Sequence, residues 1–407
     1  MLKLDELKIK KCRLCGSTNL KEVYKFNPSP IGDDYKKKIL KVKIYELKLN
    51  MCKSCNFVQL SNVINPKKVY GEYLYVTKTS HGLAKHFLDL TNYLSKKKII
   101  KNRSKVLEIG SNDGTLLKLL KKKCSLLLAV DPEKHLFKDR KIKNIGDHFS
   151  LKLSNKIKNS YGKFDVIIAN NVLANINDLH DIFKGIEKIL NIAGYLVVET
   201  FSLYGVLQKN LVDNIYHEHL SYFTIPSLMK FAQKYNLYLI DVKFLEVKGG
   251  SLRFIFRKDY FVKNKKNIIQ LIKKERLVTH HTFSRFKILR EVNDLNKKKL
   301  NSFIKEKIIE GKKIAGFGAS VGTTTLIYDF ELQNKIPILF DNEKRRFNLF
   351  CPGTRIKVLN PNKLGKTVID YIIIFAWRYA KIIIKKNNKL FNKNTKFILP
   401  LPKFKII

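Results

Sequence analysis

The sequence predicts an α/β protein in three parts: a small cysteine-bound module, a doubly wound parallel sheet, and a second α/β unit. Three observations carry this. Two Cys-x-x-Cys pairs, Cys12/Cys15 and Cys52/Cys55, lie within the first sixty residues. From about Ser104 short apolar strands alternate with amphipathic helical spans, the pattern of parallel strands joined by crossovers. Beyond a long charged span, a strand followed by a glycine turn recurs at 313–322.

The cysteine pairs have the spacing at which each pair grips one tetrahedral Zn²⁺, and two pairs close its coordination shell. A closed shell leaves no position for water or substrate, so the expected role is structural. The competing use, a redox or disulfide pair, is disfavoured because the N-terminus has no apolar segment after a basic start, which makes a reducing cytoplasm the expectation. Cys124 and Cys351 stand alone and read as apolar filler. Residues 36–49 read as a basic, strand-like loop between the two pairs.

A chain of 407 residues with 45% hydrophobic content supports two or three packed domains. The boundaries expected are 1–75, 76–258 and 259–407. No apolar stretch is long enough to span a bilayer. The net charge of +46 raises nucleic acid as a partner, but the lysines are spread from end to end with no basic arm or stripe. No nucleic-acid partner is therefore expected, while the charge can still help gather an anionic substrate.

In the middle part, strands are expected at Lys105–Ile109, Leu126–Val130, Phe164–Ala169 and Gly194–Glu199, with a helix opening at Thr115–Lys122. A helical span over Lys265–Glu310 leads to further strands at Lys313–Phe317, Ile336–Phe340, Asp370–Phe375 and Lys396–Leu399. The turn from Glu108 to Gly114 follows a strand and opens a helix, where dinucleotide folds seat a pyrophosphate. Here Glu108 and Asp113 flank the turn, which repels phosphate but suits an ammonium group. Asp131 ends the next strand, where a carboxylate accepts ribose hydroxyls. A carboxylate-lined turn with a ribose carboxylate points to S-adenosylmethionine.

The densest polar cluster is Tyr216-His217-Glu218-His219. In an extended segment His217 and His219 share one face and Tyr216 and Glu218 the other, whereas a helical segment fans them apart. A histidine near a carboxylate suits general-base work near neutral pH. Tyr73, Tyr75, Thr77, Thr79 and Ser80 form a hydroxyl-rich strip that either lines a cleft or solvates a linker. Lys248-Gly249-Gly250 reads as a bulge or a close approach to a ligand, and His280-His281 as surface.

These motifs, in their order, resemble the sugar C-methyltransferases of deoxysugar biosynthesis. The resemblance rests on the paired cysteines, VLEIGSNDGTLL at 106–117, VDP at 130–132, NNVLANINDL at 170–179 and IYHEHLSYF at 215–223. It continues through GGSLR at 249–253, IAGFGAS at 314–320, DN at 341–342, CPGTRI at 351–356 and DYIIIFAWRYA at 370–380. It implies a zinc-binding domain, a class I methyltransferase domain and a Rossmann-like C-terminal domain. It also implies methyl transfer from S-adenosylmethionine to a carbon beside the ketone of a nucleotide-linked 4-keto-deoxysugar. On the matching positions His219 is the base, with Tyr216 and Glu218 orienting it or binding sugar, and Tyr75 reaching in. Glu108, Gly110, Asn112, Asp131 and Asn171 hold the cofactor, and the C-terminal domain grips the nucleotide diphosphate.

Two positions depart from the family pattern: Asn175 stands where many relatives have histidine, and Val321-Gly322-Thr323 where many have Lys-Gly-Asn. Asparagine cannot carry a proton at neutral pH, which leaves the base at His219. Two alternatives are an RNA methyltransferase and a non-catalytic zinc scaffold. The oligomeric state is not legible, and a three-domain chain is compatible with a monomer.

Overall fold

The computed structural model describes residues 5–70, 76–80, 82–259, 266–363, 368–387 and 389–407. In the N-terminal part, strands β1 (Leu20–Lys25), β2 (Lys48–Cys52) and β3 (Val58–Leu60) pair antiparallel. The basic segment before β2 is strand only from Lys48; most of 36–47 is irregular chain tied down by isolated bridges, Ser29 to Tyr45 and Lys36 to Phe350. The apolar–lysine alternation there suits a strand, but among the described residues it finds only those two isolated bridges and no continuous ladder.

The middle part runs α1 (Leu83–Lys96), β4 (Ser104–Ile109), α2 (Thr115–Lys118), β5 (Cys124–Val130) and β6 (Lys143–Ile145). It continues α3 (Leu151–Tyr161), β7 (Phe164–Asn170), α4 (Leu179–Ile189), β8 (Leu190–Phe201) and α5 (Leu203–Lys209). After the polar cluster come β9 (Ser221–Tyr222), α6 (Ile225–Gln233), β10 (Leu237–Leu245) and β11 (Ser251–Lys258). The seven-stranded sheet has the order β10-β11-β8-β7-β4-β5-β6. Its last five members are parallel, and β11 alone is reversed, antiparallel to both β8 and β10. Val106, Leu107, Ile167, Ile168, Leu196 and Val197 are fully buried, as strands covered on both faces require. Side-chain caps start α3 and α4: Ser150 accepts from Leu153 N and Asp178 from Asp181 N.

The helix expected over 115–122 is a single turn ending at Lys118, because Leu119–Lys123 close as turns onto the next strand. Lys248 to Gly250, all at positive φ, form the corner between β10 and β11. The charged span is two helices, α7 (Lys266–Thr279) and α8 (Thr282–Ile309), broken at the exposed His280-His281. At the break the Thr282 hydroxyl donates to Thr279 O.

The C-terminal part holds β12 (Ile314–Phe317), α9 (Val321–Asp329), β13 (Ile338–Phe340), β14 (Lys357–Leu359), β15 (Tyr371–Ile374), α10 (Ala380–Asn387), β16 (Lys396–Leu399) and β17 (Lys405–Ile406). Their order is β14-β13-β12-β15-β16-β17, parallel except for β17. Among the described residues no helix is long and apolar enough to cross a membrane.

In both parallel sheets the strand order reverses beside the first strand, at β4/β7 and at β12/β15. Ligands of doubly wound sheets bind outside the carboxyl ends of the strands at such a switch point. The third part of the geometry is β9, which leaves the middle domain and pairs with β3, giving a four-stranded sheet β9-β3-β2-β1. The polar cluster is thus carried straight into the N-terminal sheet.

Candidate active site and metal centre

The four cysteines converge, their sulfurs all within 4.8 Å of one another. Cys12 and Cys55 sulfurs are 3.5 Å apart, and those of Cys15 and Cys52 3.6 Å. A tetrahedral Zn²⁺ with bonds of about 2.3 Å needs sulfurs roughly 3.8 Å apart, so the residues fit the ion. Each pair sits on the same kind of turn. Gly16 N–H donates to Cys12 O and Asn56 N–H to Cys52 O, and both donors adopt positive φ, Gly16 at 78° and Asn56 at 58°.

The two switch points open into one cleft of about 820 Å³, in the upper part of the roughly 300–1,000 Å³ range of small-molecule sites. Glu108, Gly110, Asn112, Asp131, Asn171, Tyr216, Glu218 and His219 all line it. Tyr75, and Tyr73 with it, lie outside the described residues. His217 does not line the cleft; its Nε2 is 3.3 Å from Glu46 O in the N-terminal part.

At the end of β4 the Glu108 carboxyl is buried with Oε2 lacking a hydrogen-bond partner. Burial, with Asp131 and Asp113 nearby, pushes it well above the usual carboxylate range. Ser111 Oγ and both side-chain atoms of Asn170 are likewise buried, unpartnered and on the cleft. Buried polar atoms are normally paired, so this set fits a polar ligand such as the amino-acid end of S-adenosylmethionine. Asp131 is fixed from both sides: Oδ2 accepts Asn112 N–H at 2.8 Å and Oδ1 accepts Glu133 N–H at 2.8 Å. Gly110 has φ of 72°, and a Cβ there would press on Val172 at 3.0 Å. Asn112 and Asp113 do something the sequence did not suggest. Their side-chain oxygens accept the backbone N–H groups of Thr77 (2.9 Å) and Lys78 (3.1 Å), so they hold the hydroxyl-rich segment against the turn.

Asp131→Ala should weaken S-adenosylhomocysteine binding by roughly 10–100-fold in calorimetry. It takes a carboxylate from the cleft wall and leaves two N–H groups unpaired, each worth about 1–3 kcal/mol.

The polar cluster is neither strand nor helix but one turn, closed by His219 N–H on Tyr216 O at 3.0 Å. The turn brings residues 216 and 219 together and sends His217 outward. His219 lies between Phe201 and Tyr216, ring centroids at 4.2 and 3.9 Å. Its Nδ1 is 2.7 Å from Asn214 O, which can only accept, so Nδ1 carries the hydrogen. Nε2 then keeps its lone pair, and the Tyr216 hydroxyl donates to it at 2.8 Å. Burial, then Lys248 and Arg378, lowers His219 to about 3, so the ring is neutral. Burial, aided by Asp33, raises Glu218 to about 8 against the pull of Arg346 and Lys248, and its Oε1 is unpartnered.

The opposite wall belongs to the C-terminal part. Asp341 repeats the Asp131 arrangement, accepting Ala319 N–H at 2.6 Å and Glu343 N–H at 2.7 Å. Arg378 and Trp377 bind Asp213 at 3.0 and 3.2 Å, and Arg346 pairs with Asp33 at 2.6 Å. Asn170, Asp33, Asp213, Arg346 and Arg378 were not singled out from the sequence; each stands alone or in an ordinary charge context, and only tertiary pairing marks it.

The chain matches a zinc binding domain over residues 12–70, a methyltransferase domain over 79–242 and a C-methyltransferase C-terminal domain over 246–402. It is 25% identical over 414 residues to the C-methyltransferase NovU of Streptomyces niveus, covering 98% of this chain and 97% of that protein. Among solved structures, N-methyltransferase NodS from Bradyrhizobium japonicum WM9 aligns at 17% identity over 43% of this chain and 93% of that one, with a TM-score of 0.32. An S-adenosylmethionine-dependent methyltransferase from Clostridium acetobutylicum ATCC 824 aligns at 15% identity over 42% and 92%, with a TM-score of 0.33. Values this low leave the fold to be read from the strand order itself. Across all three parts, then, the chain belongs to the S-adenosylmethionine-dependent C-methyltransferases that carry a zinc-binding N-terminal domain and a C-methyltransferase C-terminal domain.

Proposed function

We propose that this enzyme methylates a carbon beside the ketone of a nucleotide-linked 4-keto-deoxysugar, with His219 as general base. The observation that carries the proposal is the fixed, neutral His219 ring, its Nε2 lone pair held in the cleft that also contains the Glu108 and Asp131 carboxyls. A hydrogen next to a carbonyl is acidic enough for such a base when the enolate oxygen is stabilised. When bound, S-adenosylmethionine supplies the methyl group that the enolate carbon takes. Glu108, Gly110, Asn112, Asp131 and Asn171 surround the place where it would sit.

Lys248 and Arg378 line the cleft near the base. A diphosphate beside them would cancel part of the positive field that depresses His219, so substrate arrival would raise the basicity of the ring. Tyr216 donates to the same nitrogen and must give way or relay the proton. A neutral Glu218 can donate a hydrogen bond to the enolate oxygen. Tyr75 would reach in from the N-terminal side, and the Arg345–Arg346 stretch faces the cleft where a nucleotide would lie.

The direct test incubates the protein with labelled S-adenosylmethionine and a panel of nucleotide-linked keto-sugars. Mass spectrometry should find one added methylene, on carbon. No transfer to any keto-sugar, or transfer to oxygen, would refute the reading. The pH dependence has a definite sign. Glu218 is protonated below about 8, so kcat/KM should fall as the pH rises through that value. Glu218→Gln, which keeps a donor at all pH values, should remove that limb.

A further inference from the structure

Arg13 lies between two of the metal-site cysteines, yet it is only 7% exposed. No carboxylate among the described residues lies within ion-pair distance of its guanidinium. Its contacts are two carbonyls and an amide. Nη1 donates to Leu60 O at 3.0 Å and to Leu220 O at 3.2 Å, and Nε lies 3.4 Å from Asn177 Oδ1. Its own N–H donates to Gln59 Oε1 at 2.8 Å. A buried cation without a counter-ion is strongly unfavourable. The negative charge beside it along the chain is the thiolate set, since four thiolates holding one divalent ion keep a net negative charge.

The other end of the guanidinium touches the active-site segment. Leu220 directly follows His219; its carbonyl also accepts Leu60 N–H at 3.0 Å, and its N–H donates to Ala174 O at 2.7 Å. Gln59, whose side chain seats the Arg13 backbone, is paired in register with Ser221. The first cysteine knuckle and the polar cluster are therefore two ends of one hydrogen-bonded unit.

We propose that Arg13 is a positioning residue: its charge is balanced by the metal-loaded cysteine site, and its Nη1 fixes the Leu220 carbonyl so that the 216–219 turn presents His219 to the cleft. The metal thereby acts on methyl transfer through this arginine as well as through folding. The part concerning turnover rests on His219 being the base; the part concerning the turn does not.

Arg13→Lys keeps the charge but cannot bridge two carbonyls in a fixed plane. It should retain zinc at wild-type stoichiometry and bind S-adenosylhomocysteine normally. Turnover should drop roughly 10–100-fold with the cofactor KM nearly unchanged. Amide exchange over 214–222 should speed up while that of strand β7 does not. Arg13→Met, which loses the charge too, should in addition surrender zinc to a chelator faster. Should Arg13→Met fail to fold, Arg13→Lys and chelator-treated wild type carry the test, the latter opening β1–β3 and 214–222 while β7 stays protected. Unchanged exchange over 214–222 in both would overturn the proposal, as would exchange rising equally in β7, the mark of a general loss of stability. Full turnover in Arg13→Lys, with His219→Ala inactive in the same assay, would also overturn it. A fully active His219→Ala would instead remove the base assignment and leave the exchange result to decide.

Discussion

Replacing His219 by alanine is expected to lower turnover by roughly 10²–10⁴-fold, the usual range for a general base, while leaving S-adenosylhomocysteine affinity unchanged. The separation follows from the geometry. The ring contacts Phe201, Tyr216 and Asn214, whereas the groups proposed to hold the cofactor belong to the ends of β4, β5 and β7. Truncation opens space between two aromatic rings and frees Asn214 O, a modest structural loss at a site facing a cleft. Tyr216→Phe should cost far less, about the value of one hydrogen bond, because Nε2 keeps its lone pair. Single-turnover kinetics with a keto-sugar substrate, beside calorimetry, separates binding from chemistry. Near wild-type turnover in His219→Ala would move the base away from this ring. His217 could not inherit the role without rearrangement, since it faces Glu46 O and lies off the cleft.

The elements were legible where chemistry is written in local spacing. Cysteines three apart specified a knuckle, and apolar runs leading to Glu108 and Asp131 specified strands with a polar end. What the sequence could not show was which distant groups complete the site. The 216–219 segment reads equally as strand or helix, because its side chains alternate in size and polarity with neither period. The structure resolves it as a turn whose two ends are claimed by different domains, through Asp213 with Arg378 and Ser221 with Gln59. Asn112 and Asp113 look like ligand contacts because a polar turn before a helix usually serves one. Here they spend their acceptors on Thr77 and Lys78, more than thirty residues upstream. The break at His280-His281 was hidden for a related reason: charge-rich helical patterning continues through it, and only the Thr282 hydroxyl signals a stop.

The second large effect concerns the metal. Cys52→Ser should release the zinc and unfold much of the N-terminal part, since structural Zn²⁺ binding is worth about 10–16 kcal/mol in zinc-finger peptides and is folding free energy there. Cys52 is fully buried and ends β2, the strand that pairs with both β1 and β3. Loss of that strand removes β9's partner one position further on, so the damage reaches Leu220 and His219. One face of the seven-stranded sheet has an apolar cluster of its own, while the cluster on its other face runs on into the N-terminal strands; with the first intact, the sheet and its Glu108–Gly114 turn should survive. The expected outcome is therefore divided: zinc content near zero, rapid amide exchange over β1–β3 and 214–222, no measurable turnover, and residual binding of S-adenosylhomocysteine. Cys124→Ser, which alters a lone cysteine outside the cluster, should leave zinc content and turnover as they are. A Cys52→Ser protein that kept its zinc and its activity would show that the four sulfurs do not act as one site. Loss of cofactor binding together with everything else would show that the sheet depends on the metal as well.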